Sequence, residues 1–114
     1  MHAPQSTDKP MLRPYMVAQR EFASGADTPR AFLERCLAAL DAWEPKIGAF
    51  VTLNLKHARA AADAATQRRR DGKPLSPIDG MPFGIKDIIE TIDMPTENGS
   101  PLFAGYRSAC RWSR

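Results

Sequence analysis

Residues 28–45, TPRAFLERCLAALDAWEP, carry the strongest local signal in this 114-residue chain. Thr28 is placed to cap a helix, because a threonine hydroxyl accepts from the unpaired N–H groups of a first turn. Pro29 suits the first helical position, where an N–H would have no partner inside the helix. Phe32, Leu33, Cys36, Leu37, Leu40 and Trp43 recur at helical spacing as one apolar stripe, with Glu34, Arg35, Asp41 and Glu44 off it. Pro45 is expected to end this helix.

On the N-terminal side, Tyr15, Ala18 and Phe22 repeat at the same spacing over 14–23, and Ser24-Gly25 supplies a stop. Residues 1–13 hold Pro4 and Pro10 without any periodic pattern and read as a flexible arm. On the C-terminal side, 47–53 reads as a strand through Phe50, Val51 and Thr52. Asn54 is placed to cap a third helix from Leu55 to about Arg70, whose alanines favour helix and admit a close neighbour. Arg68, Arg69 and Arg70 fall in its last turn, where cations complement the helix dipole. Residues 71–82 combine prolines and glycines into a turn-rich connection. A second strand is expected at 82–89. Helices alternating with strands give an α/β class with helices packed on a sheet. Two strands alone are marginal in water, so the sheet is expected to be incomplete in this chain.

Composition narrows the function. With 43% hydrophobic and 25% charged residues, the chain is neither a disordered acidic tail nor a disulfide-dense miniprotein. Its longest apolar run, Cys36 to Leu40, is too short to span a bilayer, and the first ten residues lack the apolar core of a secretory signal. A cytoplasmic protein with no membrane partner is expected. The formal charge is +3, but Arg107, Arg111 and Arg114 lie in a final stretch without acids, and without them the charge is zero. A basic tail at 107–114 is not a basic face, so no nucleic-acid partner is expected. Cys36 and Cys110 form no CxxC and have no histidine at ligand spacing, so neither metal nor cofactor is expected.

The chemistry is concentrated in 82–89, PFGIKDII. In an extended segment Gly84, Lys86 and Ile88 share one side, and Phe83, Ile85 and Asp87 the other. A lysine between glycine and isoleucine, its neighbouring carboxylate turned away, has the surroundings a basic amine needs. A lysine near its ordinary pKa of about 10.4 must lose about three units to be neutral at pH 7, at about 4 kcal/mol, which demands an enclosed site. The spacing alone equally allows a snorkelling surface lysine, or, in a helix, a pair with Glu90.

The block 80–100, GMPFGIKDIIETIDMPTENGS, resembles the N-terminal motif of the amidase signature family through Gly80, Pro82, Lys86, Asp87, Pro95, Thr96, Gly99 and Ser100. The segments AFLERCLAAL and KIGAFVTLN and the alanine-rich helix resemble the usual lead-in, so the likeness runs from about 14 to 107. The resemblance implies the N-terminal portion of the amidase-signature fold, helices on a mixed sheet, with 14–106 as a partial amidase domain. It implies amide C–N hydrolysis by a Ser–cis-Ser–Lys triad with Lys86 as the catalytic lysine. The small-molecule amide substrate is one that a full-length relative would take. The family's two serines sit in a Gly- and Ser-rich stretch; this chain has no Gly-Gly and no Ser-Ser, so neither can be placed. Thr96, Asn98 and Ser100 are carried over only as residues shaping a pocket in a full-length relative.

No local group replaces the serines. Pro101 follows Ser100, which reads as a turn residue and not as a nucleophile elbow. Ser108 and Ser113 carry no motif, and His57 reads as a solvated helix residue. The expectation is a chain interrupted before its serines, inactive alone. The alternative is a non-catalytic interaction module presenting the Phe32–Trp43 stripe to another chain.

Overall fold

A computed structural model describes residues 14–109. The 1–13 arm and, within the 107–114 tail, residues 110–114 lie outside the described residues. The described chain runs α1 (Tyr15–Ser24), α2 (Pro29–Ile47), α3 (Leu55–Arg70) and a 3-10 turn at Pro101–Phe103.

Gly25 ends α1 in the left-handed conformation, φ 78°, as the Ser24-Gly25 signal predicts. Thr28 Oγ1 accepts from the Ala31 N–H at 3.2 Å, with Pro29 opening α2. This helix does not stop at Pro45 but continues to Ile47. A proline in the final turn forfeits only its own hydrogen bond. The Gly48 N–H then donates to the Glu44 carbonyl at 2.8 Å, with Gly48 at φ 60°, so the helix closes on glycine beyond the proline. The Lys46 ammonium lies over the Trp43 ring, 5.4 Å from its centroid.

The core sits where the three helices meet. Ala18 and Phe22 of α1 are buried with Phe32 and Leu33 of α2 and Ala62 and Ala65 of α3. Phe22 and Phe32 meet edge to face at 5.6 Å, and Cys36 and Met81 pack against them. The small side chains of α3 let it lie close against α2. Buried Thr66 joins the two: its hydroxyl donates to the Ala62 carbonyl at 2.8 Å and accepts from the Arg30 N–H at 3.1 Å. An otherwise unpaired donor in the first turn of α2 is thereby satisfied by a neighbouring helix. On the outer side Glu34 binds Arg59 and Arg30, and Arg30 reaches Asp63 at 2.6 Å.

The connection after α3 folds back across the helix ends. Arg68 and Arg69 do more there than face a dipole. Arg68 holds the Asp79 carboxylate with two hydrogen bonds, 2.8 and 2.7 Å, and Arg69 donates to the carbonyls of Pro77 and Asp79. Gly80 crosses Pro29 so closely that a Cβ there would lie 2.4 Å from its Cγ.

The two expected strands are not formed: no strand is present among the described residues. A strand exists only through a partner, and the N–H groups of Val51, Thr52, Leu53, Gly84, Ile85 and Lys86 donate to none of the described residues. The alternation of faces also stops at Lys86, because its carbonyl accepts from the Ile89 N–H at 3.0 Å and turns the chain. The part of the α/β expectation present here is the helical layer.

Candidate functional site

Lys86 is delivered by a short path from the core. The Arg68–Asp79 clamp and the Gly80 crossing fix the chain at the helix ends, Met81 packs on the aromatic pair, and 82–86 runs outward. Lys86 is exposed, and its ammonium makes neither an ion pair nor a hydrogen bond with any described residue. The enclosure a basic amine needs is therefore not provided by these residues. The pairing with Glu90 is not made either: the segment is not helical, and the Glu90 carboxylate lies 3.5 Å from the Tyr106 hydroxyl.

The neighbouring acid has a structural task that its place in the motif does not announce. Asp87 Oδ1 accepts from the Glu97 N–H at 2.8 Å, and the Asp87 carbonyl accepts from the Asn98 N–H at 2.9 Å. One residue thus ties the Lys86 turn to the 96–98 loop through side chain and backbone together. Asp87 Oδ2 is buried and has no partner among the described residues.

Thr96 is interior, 2% exposed: its N–H donates to the Tyr106 carbonyl at 2.8 Å and its hydroxyl to the Ile89 carbonyl at 3.3 Å. Asn98, at φ 54°, and Gly99, at φ 64°, take the left-handed turn that follows. The Glu97 carboxylate closes the loop by accepting from the Gly105 N–H at 2.8 Å. Ser100 accepts from the Leu102 N–H at 3.3 Å and starts the 3-10 turn, the turn role its Pro101 neighbour indicates. Thr96, Asn98 and Ser100 form a scaffold behind Asp87; none of them lines the cleft that holds Lys86.

That cleft, about 410 Å³, lies between 49–52 and 84–87, with Ile89, Thr91, Met94 and Pro95 also contributing. Its position is fixed from both sides. The Phe50 N–H donates to the Glu44 carboxylate at 2.7 Å, and Asn54 donates to Asp93 at 3.0 Å. Asn54 precedes α3 as expected, yet its side chain is turned to this loop and makes no capping bond. The only sequence signal for these pins is a conspicuous number of Asp, Asn and Thr in 87–98, residue types that bond local backbone.

A family model described as Amidase matches residues 31–111. The chain is 49% identical over 90 residues to a glutamyl-tRNA(Gln) amidotransferase subunit of Chloroflexus aggregans, covering 79% of this chain and 18% of the relative. A protein of the same name from Chloroflexus aurantiacus is 47% identical over 90 residues, with the same coverage of each chain. Another, from Anaeromyxobacter sp. (strain K), is 39% identical over 84 residues, covering 74% of this chain and 17% of the relative. The chain thus spans less than a fifth of the length of these curated relatives. No solved structure matches it. On the family match and these identities together, the chain belongs to the amidase family, the amidase signature family that the 80–100 block resembles.

Proposed function

We propose that this chain is the N-terminal portion of an amidase-signature protein and supplies Lys86 as the basic member of a Ser–cis-Ser–Lys triad. In this reading Lys86 takes a proton through the middle serine, which activates the nucleophilic serine against an amide carbonyl. The acyl-enzyme is then released to water or to an amine. Both serines and the oxyanion hole belong to sequence not contained in the 114 residues. The observation that supports the reading best is the placement of Lys86 at the rim of an open cleft, with Asp87 beside it anchored at two points. A helical layer that packs on a mixed sheet, 14–106 as part of the amidase domain and a cytoplasmic location complete the proposal. The names of the relatives favour an amidotransferase subunit, working with partner subunits on an amide substrate, over a free-standing hydrolase.

The alternative of an interaction module has less support. Phe32 and Leu33, at the start of the stripe it needs, are buried within the chain's own three-helix core.

Two measurements test the proposal. The isolated chain is expected to show no amide hydrolysis above background, since loss of triad members is severely damaging. The Chloroflexus aggregans relative, carrying this chain's matching 90 residues in place of its own and assayed with its partner subunits, is expected to retain its amidotransferase activity. A folded but inactive graft would contradict the reading.

A further inference from the structure

Lys86 is held from one side only. Upstream, residues 82–85 make no hydrogen bond with any described residue, and Phe83 and Ile85 are 75% and 44% exposed. The last fixed point before the lysine is Met81, whose N–H donates to the Ile78 carbonyl at 3.0 Å. The first fixed point after it is its immediate neighbour. Asp87 Oδ1 accepts from the Glu97 N–H at 2.8 Å, and the Asp87 carbonyl accepts from the Asn98 N–H at 2.9 Å. The turn that opens on the Lys86 carbonyl closes at Ile89, whose own carbonyl accepts from the buried Thr96 hydroxyl at 3.3 Å. Both ends of the turn are thus fastened to the 96–98 loop. That loop is braced by the Thr96 N–H on the Tyr106 carbonyl and the Gly105 N–H on the Glu97 carboxylate, each at 2.8 Å. Consecutive Cα atoms lie about 3.8 Å apart, so whatever fixes residue 87 also fixes where the lysine stem begins.

We propose that Asp87 is the positioning residue of Lys86: its side-chain bond to the Glu97 N–H sets the point from which the lysine reaches the middle serine, and Asp87 does this as a hydrogen-bond acceptor and not as a charge. Resting on the triad reading, this role deepens it by naming what holds the proton acceptor in place. A reacting group has to be kept within about 0.5 Å of its working geometry, and a misplacement of about 1 Å costs up to about 100-fold in rate. The side chain of Lys86 is bonded to none of the described residues, so its backbone anchor carries that precision. A role for the charge is opposed by chemistry and by geometry. A carboxylate paired with the ammonium stabilises the protonated form and hinders a base. Here Oδ1 is engaged by the Glu97 N–H and Oδ2 is buried without a partner among the described residues, so neither oxygen is paired with Lys86.

The grafted relative, assayed with its partner subunits, tests this through Asp87→Asn and Asp87→Ala. Asparagine removes the charge but keeps an oxygen for the Glu97 N–H, and its amide nitrogen replaces an oxygen that has no partner among the described residues. It is expected to hold kcat within about fivefold of the parent graft. Alanine removes the acceptor and is expected to lower kcat about 100-fold with KM within about twofold. The acid limb of its kcat–pH profile is expected to move up by about one pH unit, because a displaced base leaves its enclosure. A loss of folded protein lowers kcat without moving that limb, so a fall in kcat with the limb unmoved would overturn the proposal. A folded Asp87→Ala graft at the parent kcat would overturn it too. Asp87→Asn carries the test by itself if Asp87→Ala does not fold: a folded Asp87→Asn graft more than about fivefold slower than the parent makes the charge the working feature and overturns the proposal. Lys86→Met separates the two claims. A graft indifferent to Lys86→Met overturns the triad reading, whereas one that needs Lys86 yet tolerates Asp87→Ala overturns the positioning role alone.

Discussion

Arg68 on the last turn of α3 and Asp79 on the returning connection are locked by two parallel hydrogen bonds, Nε to Oδ2 at 2.8 Å and Nη2 to Oδ1 at 2.7 Å. The Arg68 guanidinium, aided by the Leu75 N–H, holds the Asp79 carboxyl down at about 2 from its ordinary 3.8, against the opposing effect of burial. A depressed carboxylate stabilises the fold above its unfolded pKa and loses that contribution as pH falls through the folded value. The clamp is therefore at full strength above about pH 4 and is lost between about pH 4 and pH 2, at about 1–2 kcal/mol after allowance for the half-open arginine. Asp79→Asn should remove this pH dependence in urea titrations and lower stability at pH 7 by a similar amount.

Gly80 links that clamp to the core. At φ +92°, with Pro29 Cγ and Cβ 2.4 and 2.6 Å from where a Cβ would sit, it has no room for a side chain. Gly80→Ala is expected to cost about 2–4 kcal/mol, from left-handed strain and displacement of the α2 start. Gly72→Ala, also at positive φ but facing open space, should cost only about 1 kcal/mol. Thermal unfolding of the two variants side by side separates the clash from the strain.

Polar contacts between α2 and α3 should differ in value according to burial. Thr66→Val leaves the Arg30 N–H without its acceptor and is expected to cost about 1–3 kcal/mol. Glu34→Gln weakens an exposed, solvent-screened network with Arg30 and Arg59 and should change stability less than Thr66→Val does. Chemical denaturation of both variants checks the ordering, and a larger loss from Glu34→Gln would contradict it.

The helices were legible because their signals are local. Thr28-Pro29, the Gly25 stop and the alanine run of α3 each act within one turn of the residue that carries them. The continuation through Pro45 was not legible, since it depends on Gly48 closing the helix beyond the proline. The strand readings of 47–53 and 82–89 do not hold: Ile47 closes α2, Gly48 is left-handed and 87–89 turn, and a ladder also requires a second backbone, which sequence composition cannot supply. Lys86 could be singled out from the motif it shares with a family. The anchoring role of Asp87 could not, because its partners at Glu97 and Asn98 are brought to it by a loop whose path is set by Thr96 and the left-handed turn at Asn98-Gly99.

The central claim is that Lys86 performs chemistry and does not hold the fold. Because it is exposed and unbonded among the described residues, Lys86→Met should shift unfolding stability by less than about 0.5 kcal/mol. The deciding measurement is kcat/KM for the amidotransferase activity of the grafted relative, assayed with its partner subunits, with and without Lys86→Met. The account predicts a loss of about 1,000-fold or more at unchanged stability. A folded Lys86→Met graft that keeps the parent's amidotransferase rate would contradict it.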